Sequence, residues 1–295
     1  MRLGVVILPE TTWREQAALW RRAEALGFDH GWTYDHIAWR ELRDEPWFGA
    51  IPTLTAAALV TERMRLGTLV ASPNFRHPVP FARELLALDD ISGGRAVLGI
   101  GAGGHGWDAT VLGTDAWPLR ERTDRFVEFV ELLDELLRNP VTTFEGRYYS
   151  ASDAPMQPGC VQLPRLPFSV AATGPRGMRL AAKHGATWVT TGDREARDAP
   201  PDATASATIV RNQIEQLREA CAAVGRDFST IAKLVLTGVD LHTGLDSPDA
   251  FRDAVGRYHE AGVTDLVVHW PRTSAPFAGD VATFERILSD FAAPY

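Results

Sequence analysis

Polar and glycine residues gather where short apolar runs of this chain end. Asp35 and His36 follow the run 28–33, and Ser72, Asn74 and His77 follow 65–70. Ala102, Gly103, Gly104 and His105 follow 96–101, and Thr173 and Gly174 follow 168–172. Thr191 follows 186–190, and His269 and Trp270 close the run 266–269. In α/β proteins the ends of buried strands are where sites are built. His36 is the candidate general acid or base, because imidazole titrates near neutral pH; a lone histidine is also often structural. Asp35 beside it caps or orients the loop, and His77, followed by Pro78, sits where a helix begins and reads as a cap. Carboxylates are few at these positions and no triad of metal ligands appears, so neither a two-carboxylate hydrolase nor a metal site is supported. No G-x-S-x-G nucleophile elbow is present.

Two glycine-rich stretches leave alternatives open. Residues 101–106 read GAGGHG, a formal G-x-G-x-x-G after an apolar run. The context of a dinucleotide fingerprint is missing, since residues 107–118 read as loop and Glu121 and Asp124 start a helix rather than end a strand. The glycines then serve a tight turn or let a flat ligand lie against the backbone. Residues 173–177 read TGPRG before a helical pattern. Such a turn offers free N–H groups to a phosphate or carboxylate, with Arg176 as counter-charge, or it is a plain connection with a solvated arginine.

The elements that must position these residues follow from hydrophobic patterning. Eight short apolar runs, 3–8, 28–33, 65–70, 96–101, 168–172, 186–190, 231–239 and 266–269, read as strands buried on both faces. Helical stripes fill the gaps. Val210, Ile214, Leu217, Cys221 and Val224 form one; Phe126, Phe129, Val130, Leu133 and Leu137 another. Phe251, Val255 and Tyr258 form a third, behind Ser247 as N-cap and Pro248, with Gly262 closing it. Phe284, Leu288 and Phe291 form the last. Eight alternating units predict an α/β fold, a single-domain (β/α)8 barrel over residues 1–295 with insertions after strands two, four and six. These are residues 37–51, carrying Trp39, Trp47 and Phe48; 139–167, with room for a small hairpin; and 192–207, a polar mobile loop. The first and third follow strands directly and belong on the barrel rim.

Composition bounds the partners. With 295 residues, 45% hydrophobic and 23% charged, the chain has ordinary globular values and room for a large core. A net charge of −8 argues against nucleic acid and anionic membrane surfaces, which demand a basic face. Cys160 and Cys221 show neither metal spacing nor a disulfide framework, and Cys221 falls on a helix stripe. No segment has the length of a membrane span or a signal sequence, so a cytoplasmic location is expected.

Several segments together resemble the luciferase-like monooxygenase superfamily of flavin- and deazaflavin-dependent barrels. They are AEALGFDHGWTYDH, LGTLVASPNFRHP, LDDISGGRAVLGIGAG and AATGPRGMRLAAKHGATWVTTG, which run through most of the chain. The resemblance implies a ring at the C-terminal mouth, with a non-proline cis peptide at Leu69–Val70 behind it. It implies cofactor contacts from Asp35, Ser72, Asn74, Ala102, Gly103 and Gly104, and a ribityl phosphate held at Thr173, Gly174, Arg176 and Gly177. His36 matches the histidine at the reactive face. Trp39, Trp47, Phe48, His105 and Trp270 would line the pocket of a small-molecule substrate. Asp35-His36 with ASPNFRHP resembles the coenzyme F420 branch more than the FMN monooxygenases, which remain the alternative. Gly104 stands where deazaflavin-dependent sugar-phosphate dehydrogenases carry a glutamate acid, which argues against glucose 6-phosphate. An NAD(P)-binding dehydrogenase using the GAGGHG loop and a non-catalytic flavin-binding barrel are the further alternatives. The resemblance also implies a homodimer through the helices at 51–61 and 81–91.

Overall fold

The computed structural model describes residues 1–104, 106–193 and 201–292. Eight parallel strands close into a barrel, and each is followed by a helix. The strands are β1 (Arg2–Val6), β2 (His30–Thr33), β3 (Arg65–Thr68), β4 (Ala96–Gly101), β7 (Phe168–Ala171), β8 (Thr187–Thr190), β9 (Ala232–Leu236) and β10 (Asp265–His269). An antiparallel hairpin, β5 (Val141–Glu145) with β6 (Ser150–Pro155), lies between the fourth and fifth barrel strands, as the 139–167 insertion predicts. β10 pairs with β1 and closes the ring, with Arg2 opposite Asp265 and Val6 opposite His269.

The helices are α1 (Trp13–Ala25), α2 (Ala50–Ala58), α3 (Pro78–Ile91), α4 (Leu119–Arg138), α5 (Pro175–His184), α6 (Ala203–Ala223), α7 (Pro248–Glu260) and α8 (Val281–Ala292). Their starts carry the expected chemistry. The Ser247 hydroxyl accepts from the Ala250 N–H, and the His77 ring accepts from Val79 N–H ahead of Pro78. Two details differ from the sequence reading. The polar segment 192–207 gives way to helix at Ala203, capped by Asp202, because a short polar N-terminal turn carries little hydrophobic signal; residues 194–200 lie outside the described residues. Val224 is half-exposed beyond the end of α6 rather than on its buried stripe.

Strand alternation sorts side chains into two layers. Val5, Leu66, Leu98, Val170, Trp188 and Val268 point outward to the helices. Val6, Trp32, Leu69, Val97, Val189 and Val267 fill the barrel interior. Gly67 makes room for that filling: a Cβ there would stand 2.5 Å from the Val97 carbonyl and 2.6 Å from the Trp32 ring. The bulk of Trp32 thus occupies space that a larger residue on β3 would need.

Candidate active site

The same alternation decides what reaches the barrel mouth. Beyond β2, Tyr34 points inward, Asp35 outward and His36 inward again. Asp35 is buried and receives two hydrogen bonds from Arg76, of 2.5 and 2.8 Å. Burial alone would lower the Arg76 guanidinium, but the ion pair with Asp35 raises it. Arg76 also holds Glu84 of α3 at 2.9 Å. Asp35 therefore staples the loop after β3 to the loop after β2.

His36 is one-third exposed, and its Nδ1 faces Oδ2 of Asp108, in the loop after β4. Asp108 is nearly inaccessible and also accepts the backbone N–H groups of Ile37 and Ala38. The histidine and its own loop are thereby fixed to a second loop. Sequence reasoning missed Asp108: 72 positions separate it from His36, and a lone aspartate in a loop carries no periodic signal.

An aromatic wall surrounds this pair. The Tyr34 ring meets Trp39 at 5.2 Å; Trp39 stacks on Trp47 at 6.4 Å and on Phe277 at 5.9 Å. Phe277 lies flat on His269, 3.5 Å between ring centroids. Tyr34 Oη and His269 Nε2 are 2.7 Å apart. Burial lowers the His269 imidazole to about 3, so it is neutral, and burial raises the Tyr34 phenol well above its ordinary range. Phe277 was also missed. It adopts a left-handed backbone conformation, φ 65°, in a loop gathered by Arg272, which donates to Glu10 at 2.8 Å. The remaining Arg272 donors go to the carbonyls of Ser274, Ala275 and Pro276.

The loops after β3 and β4 meet as neighbours. Leu69–Val70 is a cis peptide, and Ser72 is buried behind it. A Cβ on Gly101 would stand 2.9 Å from Val70. Gly103 takes φ +75°, where a Cβ would meet the Asn74 amide at 2.6 Å, and Asn74 donates weakly to the Gly104 carbonyl at 3.4 Å. Among the described residues, a short 3-10 turn, Trp107–Ala109, is the first helical element after this glycine loop, and α4 begins only at Leu119. A dinucleotide fingerprint is therefore absent.

Other expected residues fall elsewhere. Trp270 is next to His269 and so points outward, packing edge-on against Phe284 of α8 at 5.4 Å. It belongs to the layer between barrel and helices, not to the pocket. Phe48 stands half-exposed on the rim, its N–H bound to the Pro9 carbonyl. His105 lies outside the described residues. Thr173 and Gly174 are exposed before α5, whose N-cap Gly174 offers no side chain. Arg176 is paired with Asp124 of α4. Gly177 has a packing role: a Cβ there would be 2.7 Å from Ala172.

Comparison with known proteins agrees with this architecture. The model of the luciferase-like monooxygenase family matches residues 1–275. The chain belongs to that family. An F420-dependent glucose-6-phosphate dehydrogenase of Microbacterium testaceum is 28% identical over 84% of the chain and 85% of its own length. A 5,10-methylenetetrahydromethanopterin reductase of Archaeoglobus fulgidus is 30% identical over 63% of the chain, a match that spans about half (51%) of that protein. Among solved structures, an F420-dependent secondary alcohol dehydrogenase superposes with a TM-score of 0.81 at 18% identity, covering 98% of this chain and 97% of that one. The coenzyme F420-dependent tetrahydromethanopterin reductase of Methanopyrus kandleri gives 0.73 at 20% identity, over 98% and 96%. The protein is thus a luciferase-like oxidoreductase barrel. Among the described residues no group of three or more potential ligands is placed to hold a metal, and no helix is long and apolar enough to cross a membrane.

Proposed function

We propose that this luciferase-like barrel is a coenzyme F420-dependent oxidoreductase, moving hydride between the deazaflavin and a small neutral organic substrate. The observation that carries the reading is the meeting of three features at one mouth: the Leu69–Val70 and Gly101–Gly104 backbone, the aromatic wall and the Asp108-anchored His36. The residues suit a flat heterocycle. Trp47 Nε1, His269 Nδ1, Asp240 Oδ2 and Thr11 Oγ1 are buried in segments at this end without a protein partner. Buried polar atoms normally have partners, so such a set is what a ligand with polar edges and apolar faces would complete.

Asn74, Ala102, Gly103 and Gly104 would seat the ring, Ser72 would sit behind it, and the turn from Thr173 to Gly177 would hold the phosphate. When bound, a deazaflavin supplies hydride transfer without activating oxygen. The chain's own residues supply the rest. Trp39, Trp47 and Phe277 exclude water and orient the substrate; His36 holds or takes a proton. The neutral His269 and the engaged Arg272 and Arg76 leave little charge for a phosphorylated substrate on the described walls. Titration of the purified protein with F420 and with FMN, followed by ring absorbance and fluorescence, tests the cofactor. Binding of F420 below ~100 μM, in the usual range for enzyme ligands, is expected. FMN binding with oxygen uptake instead would mean a monooxygenase, and binding of neither ring would end the proposal.

The same reading includes a cytoplasmic homodimer through α2 and α3. Leu59 and Ile91, at the ends of these helices, are 73% and 42% exposed. Sedimentation at micromolar concentration tests it.

A further inference from the structure

The base of the barrel holds a cavity of about 450 Å³ whose walls carry Arg65, Arg138, Arg165, Lys183, His184 and Arg226. Arg65 begins β3, and Pro167 and Ala186 directly precede β7 and β8, so the cavity lies at the end opposite the mouth. Among the described residues none of its lining side chains is a carboxylate, although the chain as a whole has a net charge of −8. The cations are held in place but not neutralised. Asp134 is shared, Oδ1 accepting from Arg165 at 2.6 Å and Oδ2 from Arg138 at 2.9 Å, and Lys183 meets Glu131 at 3.2 Å. Arg226 donates to neutral oxygens of Ala182, Gly185 and Thr230. Arg65 donates to the Gln162 side chain, whose own amide holds Asp89. Burial, and then the charge of Arg2, lower the Arg65 guanidinium, and burial lowers Arg165 in spite of Asp134. Nearby negative charge therefore does not offset the loss of water around either.

Donors are also left over. Arg65 and Arg138 each use one nitrogen on protein, and Lys183 one N–H, so most of two guanidinium forks and part of an ammonium group are unspent. His184 stands on the same wall with its Nε2 buried and without a protein partner. Its Nδ1 lies 3.7 Å from Asp134 Oδ1, beyond hydrogen-bond reach. We propose that this basal cavity binds a compact multivalent anion carrying phosphate or carboxylate groups. The planar forks of Arg65 and Arg138 match the paired oxygens of such groups, and Lys183 adds a point charge. The volume lies within the ~300–1,000 Å³ of small-molecule sites. The anion bridges Arg138 of α4, Lys183 and His184 of α5 and Arg65 of β3, and so ties two helices to a strand end. Opposite the mouth, it acts on the stability of the barrel and touches no reacting atom.

Pyrophosphate and citrate are the probes, added to the full chain without cofactor at an ionic strength of about 0.15 M. Calorimetry should give a Kd below ~1 mM for at least one of them. At about 10 mM that probe should raise the thermal unfolding midpoint by about 3 °C, a shift that sodium chloride of equal ionic strength does not give. Binding of pyrophosphate alone assigns the cavity to a phosphate compound and binding of citrate alone to a polycarboxylate; either supports the proposal. Arg65 and Lys183 are exposed, so the double variant Arg65→Gln, Lys183→Gln should fold with a midpoint within about 1 °C of the wild type. It should bind the probe about tenfold more weakly or worse. Arg176→Ala, altered at the mouth, should bind it as the wild type does. Nitrogen-15 NMR of histidine-labelled wild type locates the site without any variant: the His184 signals should move with the probe while those of His36 and His269 stay. The proposal is overturned if neither probe binds beyond the salt control, if the double variant binds as tightly as the wild type, or if the probe moves His36 or His269 and leaves His184 unchanged.

Discussion

The two ends of the barrel satisfy their buried polar groups to different degrees. At the N-terminal base, Asp265 takes Arg2 at 2.8 Å, His30 at 3.1 Å and Thr264 at 2.6 Å, and His30 in turn accepts from Trp32 Nε1 at 2.6 Å. Burial alone would raise the Asp265 carboxyl, but these donors bring it down to about 2. The cations around the basal cavity are hydrogen-bonded too: Arg165 with Asp134 and two carbonyls, Arg226 with four oxygens, Lys183 with Glu131. At the mouth four buried polar atoms have no protein partner, against one on the wall of the basal cavity, Nε2 of His184. A base that satisfies nearly all of its polar groups stabilises the fold; a mouth with several left over is arranged for something else to complete it.

Exchanging damage between the two ends breaks or sharpens this comparison. His36→Ala should spare ring binding and lower turnover by roughly 10²–10⁴, equivalent to ~3–5 kcal/mol of transition-state stabilisation. Denaturant unfolding should show a loss of about 1–3 kcal/mol, since one oxygen of the buried Asp108 loses its partner while the other keeps the Ile37 and Ala38 amides. Asp265→Ala should do the reverse. It strands a buried His30 and removes a partner of Arg2, at a cost of about 3–5 kcal/mol in unfolding free energy. The kcat of the fraction that stays folded should hold within about twofold if the base has no part in the chemistry. A large kcat loss in Asp265→Ala at unchanged stability would erase the distinction.

The acid limb of the stability curve gives a second contrast. His269 binds a proton at about 3 when folded but near the ordinary 6.5 when unfolded. Between these values only the unfolded chain is protonated, so the contribution is full above 6.5 and is lost as pH falls toward 3. The slope is about 1.4 kcal/mol per pH unit. Asp265 has a depressed carboxyl, so its contribution is present above 3.8 and is lost as pH falls through about 2. Mild acid should therefore lower the folding stability through His269 before the contribution of Asp265 is lost. His269→Phe keeps a ring against Phe277 and removes the titration. Urea midpoints between pH 6.5 and 4 should then change less with pH than in the wild type. An equal slope in both proteins would show that His269 is not the group responsible.

The base and the mouth were also unequally legible in the sequence. Eight strands, the hairpin and the caps at Ser247 and His77 follow from local patterns, and the fold requires only those. His36 was legible because it is titratable and follows a strand. Alternation could have separated His269 from Trp270, since neighbours in a strand face opposite ways, and it would have turned Asp35 outward too. Asp108 and Phe277 had no such signal. Each reaches the site through a loop whose path is set by hydrogen bonds to other loops, the amides of Ile37 and Ala38 in one case and the Arg272 fan in the other. Only three-dimensional contact makes their roles visible.

Arg176 is the residue on which the comparison of mouth and scaffold can be tested most finely. It sits at the mouth, in the turn proposed to hold a phosphate, but its guanidinium is paired with Asp124 as a base arginine would be. The pair is 45% and 25% exposed, so it adds little stability, about 0–1 kcal/mol. Asp124→Ala should leave the unfolding midpoint nearly unchanged while releasing Arg176 toward an anion at the α5 N-terminus. If that turn holds the phosphate, the Kd for F420 should fall about two- to fivefold, a gain within the range of one exposed charge-assisted contact. A deazariboflavin lacking the phosphate should bind equally well to both proteins. Arg176→Ala should weaken F420 by a similar factor and leave the truncated ring unaffected. If both variants bind F420 as the wild type does, Arg176 belongs with the scaffold, and the phosphate contact rests on the backbone of the turn alone.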